Sequence, residues 1–210
     1  MTGAGNAAPT ERAAAGKRPP SRGARALEWW NRHCHPTTGD AATRARLRRA
    51  RTPVELVAVD AAVDLARRLG AVPRSDADPS HHLHAALELA RVLAHVREND
   101  ARHPMVAAGW KHFPAGRKES EAGDDRPLLS EARFRRLLET RDGEQKTLAF
   151  IRLIALLGDR VDIETTATDF VLWNHPEHGD RVRECWAFNY FAAGRAAPEV
   201  TSTLAEDDDA

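Results

Sequence analysis

Cysteine pairs, long apolar runs, glycine-rich phosphate loops and an excess of either charge are all missing from this sequence, and each absence removes a class of function. Cys34 and Cys185 are the two cysteines in 210 residues; they are too few for a disulfide framework and read as free thiols. No apolar stretch approaches the ~20 residues of a membrane span. The opening residues, MTGAGNAAPTERAAAGKRPPSRG, hold no apolar block of the kind a secretory signal needs. The expected location is therefore the cytoplasm, with no membrane partner. No Walker-type or dinucleotide-type glycine motif occurs, which argues against nucleotide chemistry. Strand-like alternation of useful length and internal repeats are lacking too.

Lysine plus arginine equals aspartate plus glutamate at 31 each, so bulk charge does not announce a nucleic-acid partner. The distribution is more informative. Residues 1–22 hold four bases and one acid, whereas residues 199–210 hold five acids (Glu199, Glu206, Asp207, Asp208, Asp209) and no base. Arg44, Arg46, Arg48, Arg49 and Arg51 form a run with no acid among them. A charge run is ordinarily a solvated helix face, but such a face usually carries acids that make i,i+4 pairs. Charge patterned in this way suits a surface that docks in one orientation.

What is present is helical periodicity. The stretch Leu129–Leu157 reads as two helices broken at Gly143. Ser130 suits the N-cap of the first, with Glu131 in its first turn and Phe134, Leu137 and Leu138 on one face. The second is apolar almost all round from Leu148 to Leu157, with Arg152 its one charge, and Gly158 can end it. A helix apolar on every side is normally buried on every side, so this pair is expected at the centre of the core. Upstream, a helix over Arg25–Cys34 turns Leu27 and Trp30 inward and stops at His35-Pro36. The next starts near Asp40 and carries the arginine run, with Arg49 opposite Leu47, Arg46 and Arg48 flanking, and Arg44 and Arg51 nearer the apolar side. Thr52-Pro53-Val54-Glu55 is a capping box that opens a helix running to Gly70. Residues 71–79 read as a loop, and Ser80 caps a helix to about Val96. The pattern disappears from Glu98 to Pro127, where Trp110, Lys111, Arg117 and Lys118 lie. Helices over Asp162–Trp173 and Gly179–Phe191 close the set, with Trp173, Val182, Trp186 and Tyr190 as buried bulk.

The resulting expectation is an all-α protein of about seven helices, two helical bundles joined by a flexible segment. The divisions are a disordered tail over 1–22, an N-terminal bundle over 23–98, a mobile linker over 99–126, a C-terminal bundle over 127–193 and an acidic tail over 194–210.

Histidines are the obvious candidates for chemistry. His33-Cys34-His35 cannot easily face one ion, because neighbours on a helix point about 100° apart. His81, His82 and His84 contain ligand types as well, and His175 and His178 fall in a turn, where solvated side chains are the plainer reading. No metal, no cofactor and no catalytic group is expected. The arginines remain: the run Arg44–Arg51, and a second row of Arg133, Arg136, Arg141 and Lys146 bordering the core pair. Arginine suits phosphate because its planar fork donates two parallel bonds. Arg152 is open between a buried ion pair and a surface role.

Several pieces in order resemble the CasB family, the small subunit of the type I-E CRISPR surveillance complex (Cascade). They are Ala26-Leu-Glu-Trp-Trp30, Arg44-Ala-Arg-Leu-Arg-Arg-Ala-Arg51, Leu129-Ser-Glu-Ala-Arg-Phe-Arg-Arg-Leu-Leu138, Phe150-Ile-Arg-Leu-Ile154, Asp169-Phe-Val-Leu-Trp173 and Trp186-Ala-Phe-Asn-Tyr-Phe191. The resemblance covers roughly Arg25–Phe191. It implies an all-helical subunit without catalytic activity that forms a head-to-tail pair beside the backbone and large subunits. Its basic surface would help hold target DNA opened by the guide RNA (the R-loop). The positions matching that surface are Arg48 and Arg49, then Arg133, Arg136, Arg141, Lys146 and Arg152. A basic segment found in many members would fall between Trp110 and Lys118, where Lys111, Arg117 and Lys118 are the candidates. The competing reading from the residues alone is a helical DNA-binding transcriptional regulator that places the Arg44–Arg51 helix in a groove.

Overall fold

The computed structural model describes residues 20–71, 81–109, 127–141 and 143–192, with the side chains of His81 and Ala192 excepted. Residues 1–19 of the tail expected over 1–22, all of the tail expected over 194–210, residues 72–79 of the loop expected over 71–79, Ser80 as a cap, and Trp110, Lys111, Arg117 and Lys118 lie outside these residues.

The described chain is all-α apart from one two-residue strand pair, as the missing strand periodicity implies. The helices are α1 (Arg22–His33), α2 (Ala41–Arg49), α3 (Pro53–Val57), α4 (Asp60–Arg68), α5 (His81–Leu93), α6 (Pro104–Ala108), α7 (Glu131–Glu139), α8 (Gly143–Leu156), α9 (Ile163–Leu172) and α10 (Gly179–Ala192). Many start where the caps say. Asp40 accepts from the Ala42 and Thr43 amides, Thr52 from Glu55, and Asp162 from Glu164 and Thr165, each satisfying donors the first turn leaves unpaired. Ser130 occupies the N-cap of α7, but its hydroxyl makes no capping bond. The helix expected from Thr52 to Gly70 is two, because the chain breaks at Ala58 and Val59 between α3 and α4.

The centre of the core is α5, which packs against α2, α3, α4, α8 and α9. Ala86, Leu87, Leu89, Ala90, Val92, Leu93 and Ala94 are all fully buried, so the second half of α5 is enclosed on most sides, whereas His82 and His84 at its start are exposed. Arg91 is buried with them and answers Glu144 at the start of α8 at 2.9 Å. Helices from either side of the 99–126 segment are in direct contact. α1 lies along α9 so closely that a Cβ on Gly23 would stand 2.6 Å from the Glu164 carbonyl oxygen. The buried apolar side chains form a single cluster. Within it Phe150, Phe170, Trp173 and Trp186 meet at centroid distances of 4.9–5.2 Å, mostly edge to face. Burying each ring contributes roughly 2–3 kcal/mol.

After α5 the described residues continue to Gly109 and form short elements where sequence periodicity gives no signal. β1 (Glu98–Asn99) pairs in parallel with β2 (Arg160–Val161), Glu98 opposite Arg160, and α6 packs on α10. Both pieces are too short for a periodic signature. After α8, Gly158 takes a positive φ of 71°, the left-handed turn that glycine allows without steric cost.

Candidate nucleic-acid interface

On α2 the arginines are structural struts. Arg44 Nη1 donates to the Cys34 carbonyl at 3.1 Å, Arg46 Nη2 to Ala58 at 2.9 Å, and Arg48 Nε to Ala94 at 2.8 Å. Cys34 and Ala58 are the C-caps of α1 and α3, and Ala94 directly follows α5. A helix C-terminus leaves carbonyls without intrahelical partners and carries partial negative charge, so a guanidinium there is favourable twice over. Arg25 does the same for α4, Arg141 for α7 and Arg183 for α9. Much of the arginine content is thus spent on helix ends. Burial, with Arg44 and Arg97 alongside, pushes the Arg48 pKa down. His95, next to Arg48 and Arg91, is held down to about 4, chiefly by burial, and adds no charge there at neutral pH. Arg46 and Arg49 are the exposed members of this helix, with Arg51 exposed just after it. Arg49 turns back to the Ala45 carbonyl of its own helix. Arg97, which no sequence signal singles out, stands beside Arg48 and pairs with Asp159 at 3.2 Å.

Around α7 and α8 the picture is different. Arg133 and Arg136 from α7 and Arg152 from α8 are exposed and line one groove of about 950 Å³. Its floor is apolar, built from Leu129, Leu137, Leu148, Leu153 and Leu156, and Glu139 is its one acid. Position in the fold explains this. Phe134 stacks on Tyr190 of α10 at 4.0 Å, and the Tyr190 hydroxyl donates to the Leu129 carbonyl at 2.7 Å. At the other end of α7, Trp173 Nε1 donates to Thr140 and Asn174 Nδ2 to Arg141. The helix is pinned at both ends, so Arg133 and Arg136 are presented from a fixed frame. Arg152 resolves to its surface alternative and is not a buried ion pair. Arg135, on the neighbouring edge, pairs with Glu131 one turn back.

Lys146 corrects the expected surface row. It is 2% exposed, its ammonium lies 3.9 Å from the Phe170 ring centroid, and it donates to the Phe170 carbonyl at 3.3 Å. Glu88 sits 4.0 Å away. Burial pushes the Lys146 pKa down to about 8 despite Glu88, and burial also raises that of Glu88. The cause is the register of α8: its deep stripe is Lys146, Thr147, Phe150, Leu153 and Ile154, so a second apolar stripe faces the groove. A helix expected to be buried on every side is partly open on one.

The metal-ligating types divide in the same way. His33 bonds Asp64 at 3.1 Å, Cys34 is buried with its pKa pushed up to about 12, and His35 Nδ1 accepts from Thr37 and Thr38. These three point apart. His175, Glu177 and His178 come together, their ligand atoms within 4.8 Å of one another.

Among the described residues no helix is long and apolar enough to cross a membrane. No curated protein and no solved structure matches the chain significantly. The family model for CRISPR-associated protein Cse2, the family also called CasB, matches residues 43–191, from the first turn of α2 to the last turn of α10, a span that includes Arg44 through Arg183. With more than two thirds of its length matched, and with the all-α fold that resemblance implies, the chain belongs to the CRISPR-associated protein Cse2 family of Cascade small subunits.

Proposed function

We propose that this subunit holds nucleic-acid backbone in the α7–α8 groove, through Arg133, Arg136 and Arg152, while its other faces dock on partner subunits, and that it carries out no chemistry itself. The observation that carries the reading is the convergence of three exposed arginines from two helices on one groove. Arginine forks bind phosphate without reading bases. An accessory subunit of an RNA-guided complex needs this property, because base pairing with the guide already supplies the sequence. The ligand we favour is target DNA opened by the guide RNA, so the subunit stabilises the R-loop. The partners are the backbone and large subunits and a second copy arranged head to tail. Balanced net charge supports this: a protein whose other faces meet protein has no use for a uniformly basic surface. Arg46, Arg49 and Arg51 supply a second exposed basic edge, and Lys111, Arg117 and Lys118 remain part of the proposal. Arg44, Arg46, Arg48 and Arg141 have at least one donor committed to helix ends, and Lys146 has no exposed ammonium to offer.

The test is a salt titration of target-DNA binding by the assembled complex, with wild-type subunit and with Arg133→Glu/Arg136→Glu/Arg152→Glu. Three phosphate contacts to a single strand contribute a slope of about −2 in log K against log salt. The variant should lose that part of the slope while assembling normally. Equal slopes and equal affinities would remove the groove from the interface.

A further inference from the structure

We propose that His175, Glu177 and His178, together with His82, form a Zn²⁺ site that ties α5 to the turn between α9 and α10. The site shares no residue with the α7–α8 groove and does not depend on the nucleic-acid reading. His175, Pro176, Glu177 and His178 make up most of the turn between the two helices. Its backbone is fixed by bonds from the His175 amide to Leu172, from Gly179 to the His175 carbonyl, and from Val182 to the His178 carbonyl. That turn delivers two imidazoles and a carboxylate to one place: their ligand atoms all lie within 4.8 Å of one another, and the His175 and His178 rings stack at 4.6 Å. The fourth ring comes from a different part of the chain. His82, in the first turn of α5, has its centroid 6.0 Å from that of His175.

The surroundings fit a cation. His82 and His175 line an open cavity of about 770 Å³ together with His84, Glu88, Glu144 and Lys146. In this lining Lys146 lies near Glu88, and Glu144 is answered by Arg91 from outside it; Glu177 and His178 approach His175 from the turn and are not part of the lining. Borderline metals favour imidazole with one carboxylate, and Zn²⁺ takes four such donors at about 2.0–2.1 Å. Donors around a tetrahedral ion stand roughly 3.3 Å apart, so the three turn donors close by about 1.5 Å from their widest spacing and the exposed His82 ring turns in to meet them, movements within the swing of surface side chains. His175 Nδ1 accepts a 3.2 Å bond from the Glu177 amide. Binding Zn²⁺ through Nε2 moves the ring proton to Nδ1 and gives up that one long bond.

The experiment uses the full chain without a polyhistidine tag, stripped with chelator and exchanged into chelator-free buffer. Calorimetry with Zn²⁺ should show one site with a micromolar Kd, and Co²⁺ should give the absorption of a four-coordinate ion. At a hundredfold excess over Kd the melting midpoint should rise by roughly 5–10 °C. His175→Ala and His178→Ala should each weaken binding at least tenfold, and His35→Ala should leave it unchanged. His82→Ala should weaken binding and, at the same Zn²⁺ concentration, give a smaller thermal shift in step with the lost affinity. The proposal is overturned by the absence of saturable 1:1 binding below millimolar Zn²⁺, by affinity unmoved in the His175→Ala/His178→Ala double variant, or by a full thermal shift in His82→Ala.

Discussion

On α2, Arg44, Arg46 and Arg48 reach the carbonyls that end α1, α3 and α5; beside the α7–α8 groove, Arg133, Arg136 and Arg152 stand exposed above an apolar floor. Residue type is alike in the two regions, and the α2 run is the denser in sequence. What separates them is what lies within reach of a guanidinium. α2 sits at a junction of helix C-termini, where unpaired carbonyls and partial negative charge bind its arginines. α7 is held along its inner face by Phe134 and Leu137, so its outer arginines meet no comparable set of acceptors. Charge density in the sequence therefore identifies basic residues, whereas the location of helix ends decides which of them are free to bind a ligand.

The largest expected effect inverts if that distinction is wrong. Arg133→Glu/Arg136→Glu/Arg152→Glu should weaken nucleic-acid binding by the complex roughly a hundredfold at moderate salt, with the melting midpoint of the subunit nearly unchanged. Anisotropy on a labelled target strand and a thermal melt of the same preparation measure both. A large fall in stability with little change in binding would make the groove arginines the struts.

The converse applies to Arg48. Its Nε bond to Ala94 is partly buried, and its removal strands a carbonyl at the end of the central helix. Arg48→Ala should cost about 2 kcal/mol of unfolding free energy, or roughly 4–8 °C in the midpoint. Arg133→Ala should stay within about 0.5 kcal/mol of wild type. Urea melts of the two variants side by side would test the comparison directly, and equal losses would dissolve it.

How much of this could be read from the chain follows the same line. Capping residues and apolar spacing are local, so Asp40, Thr52, Asp162 and the buried face of α7 were legible, as was the aromatic bulk of Trp173, Trp186 and Tyr190. The break at Ala58 and Val59, β1, and α6 were not, because each is shorter than a period. Lys146 and Arg152 show the limit within one helix. They are the two cations of α8, six positions apart, Lys146 between Gln145 and Thr147 and Arg152 among apolar residues, yet the first is buried against Phe170 and the second is exposed. Only the identity of the neighbours, here Glu88 and Phe170 from other helices, decides which of them can be buried. The groove itself was legible as a row of arginines but not as a groove, since its floor comes from a side of α8 that its all-round apolar sequence assigns to the core.

Lys146 also makes a smaller, pH-dependent prediction. Its ordinary pKa is 10.5, and in the fold it is held at about 8. Between these values the unfolded chain binds more protons than the folded one, so stability from this group rises with pH from about 8 towards 10.5. Lys146→Met should abolish that rise, seen as a smaller difference between denaturant melts at pH 7.5 and 9.5. An unaltered difference would place the Lys146 ammonium in solvent and return it to the surface row.

The smallest expected effect bears on the edge between the two regions. Arg49 belongs to α2, but it is exposed and its guanidinium turns to Ala45 in its own helix, not to the end of another. If acceptors within reach decide an arginine's role, Arg49 should behave like a groove residue despite its address. Arg49→Ala should leave stability within about 0.5 kcal/mol of wild type. Arg49→Glu should weaken nucleic-acid binding by roughly two- to threefold and reduce the salt slope by about 0.7, the share of one phosphate. A loss as large as that of the groove triple variant would move the main interface to α2. No loss at all would take Arg49 out of the interface and show that an exposed arginine without a distant acceptor is not enough to make a contact.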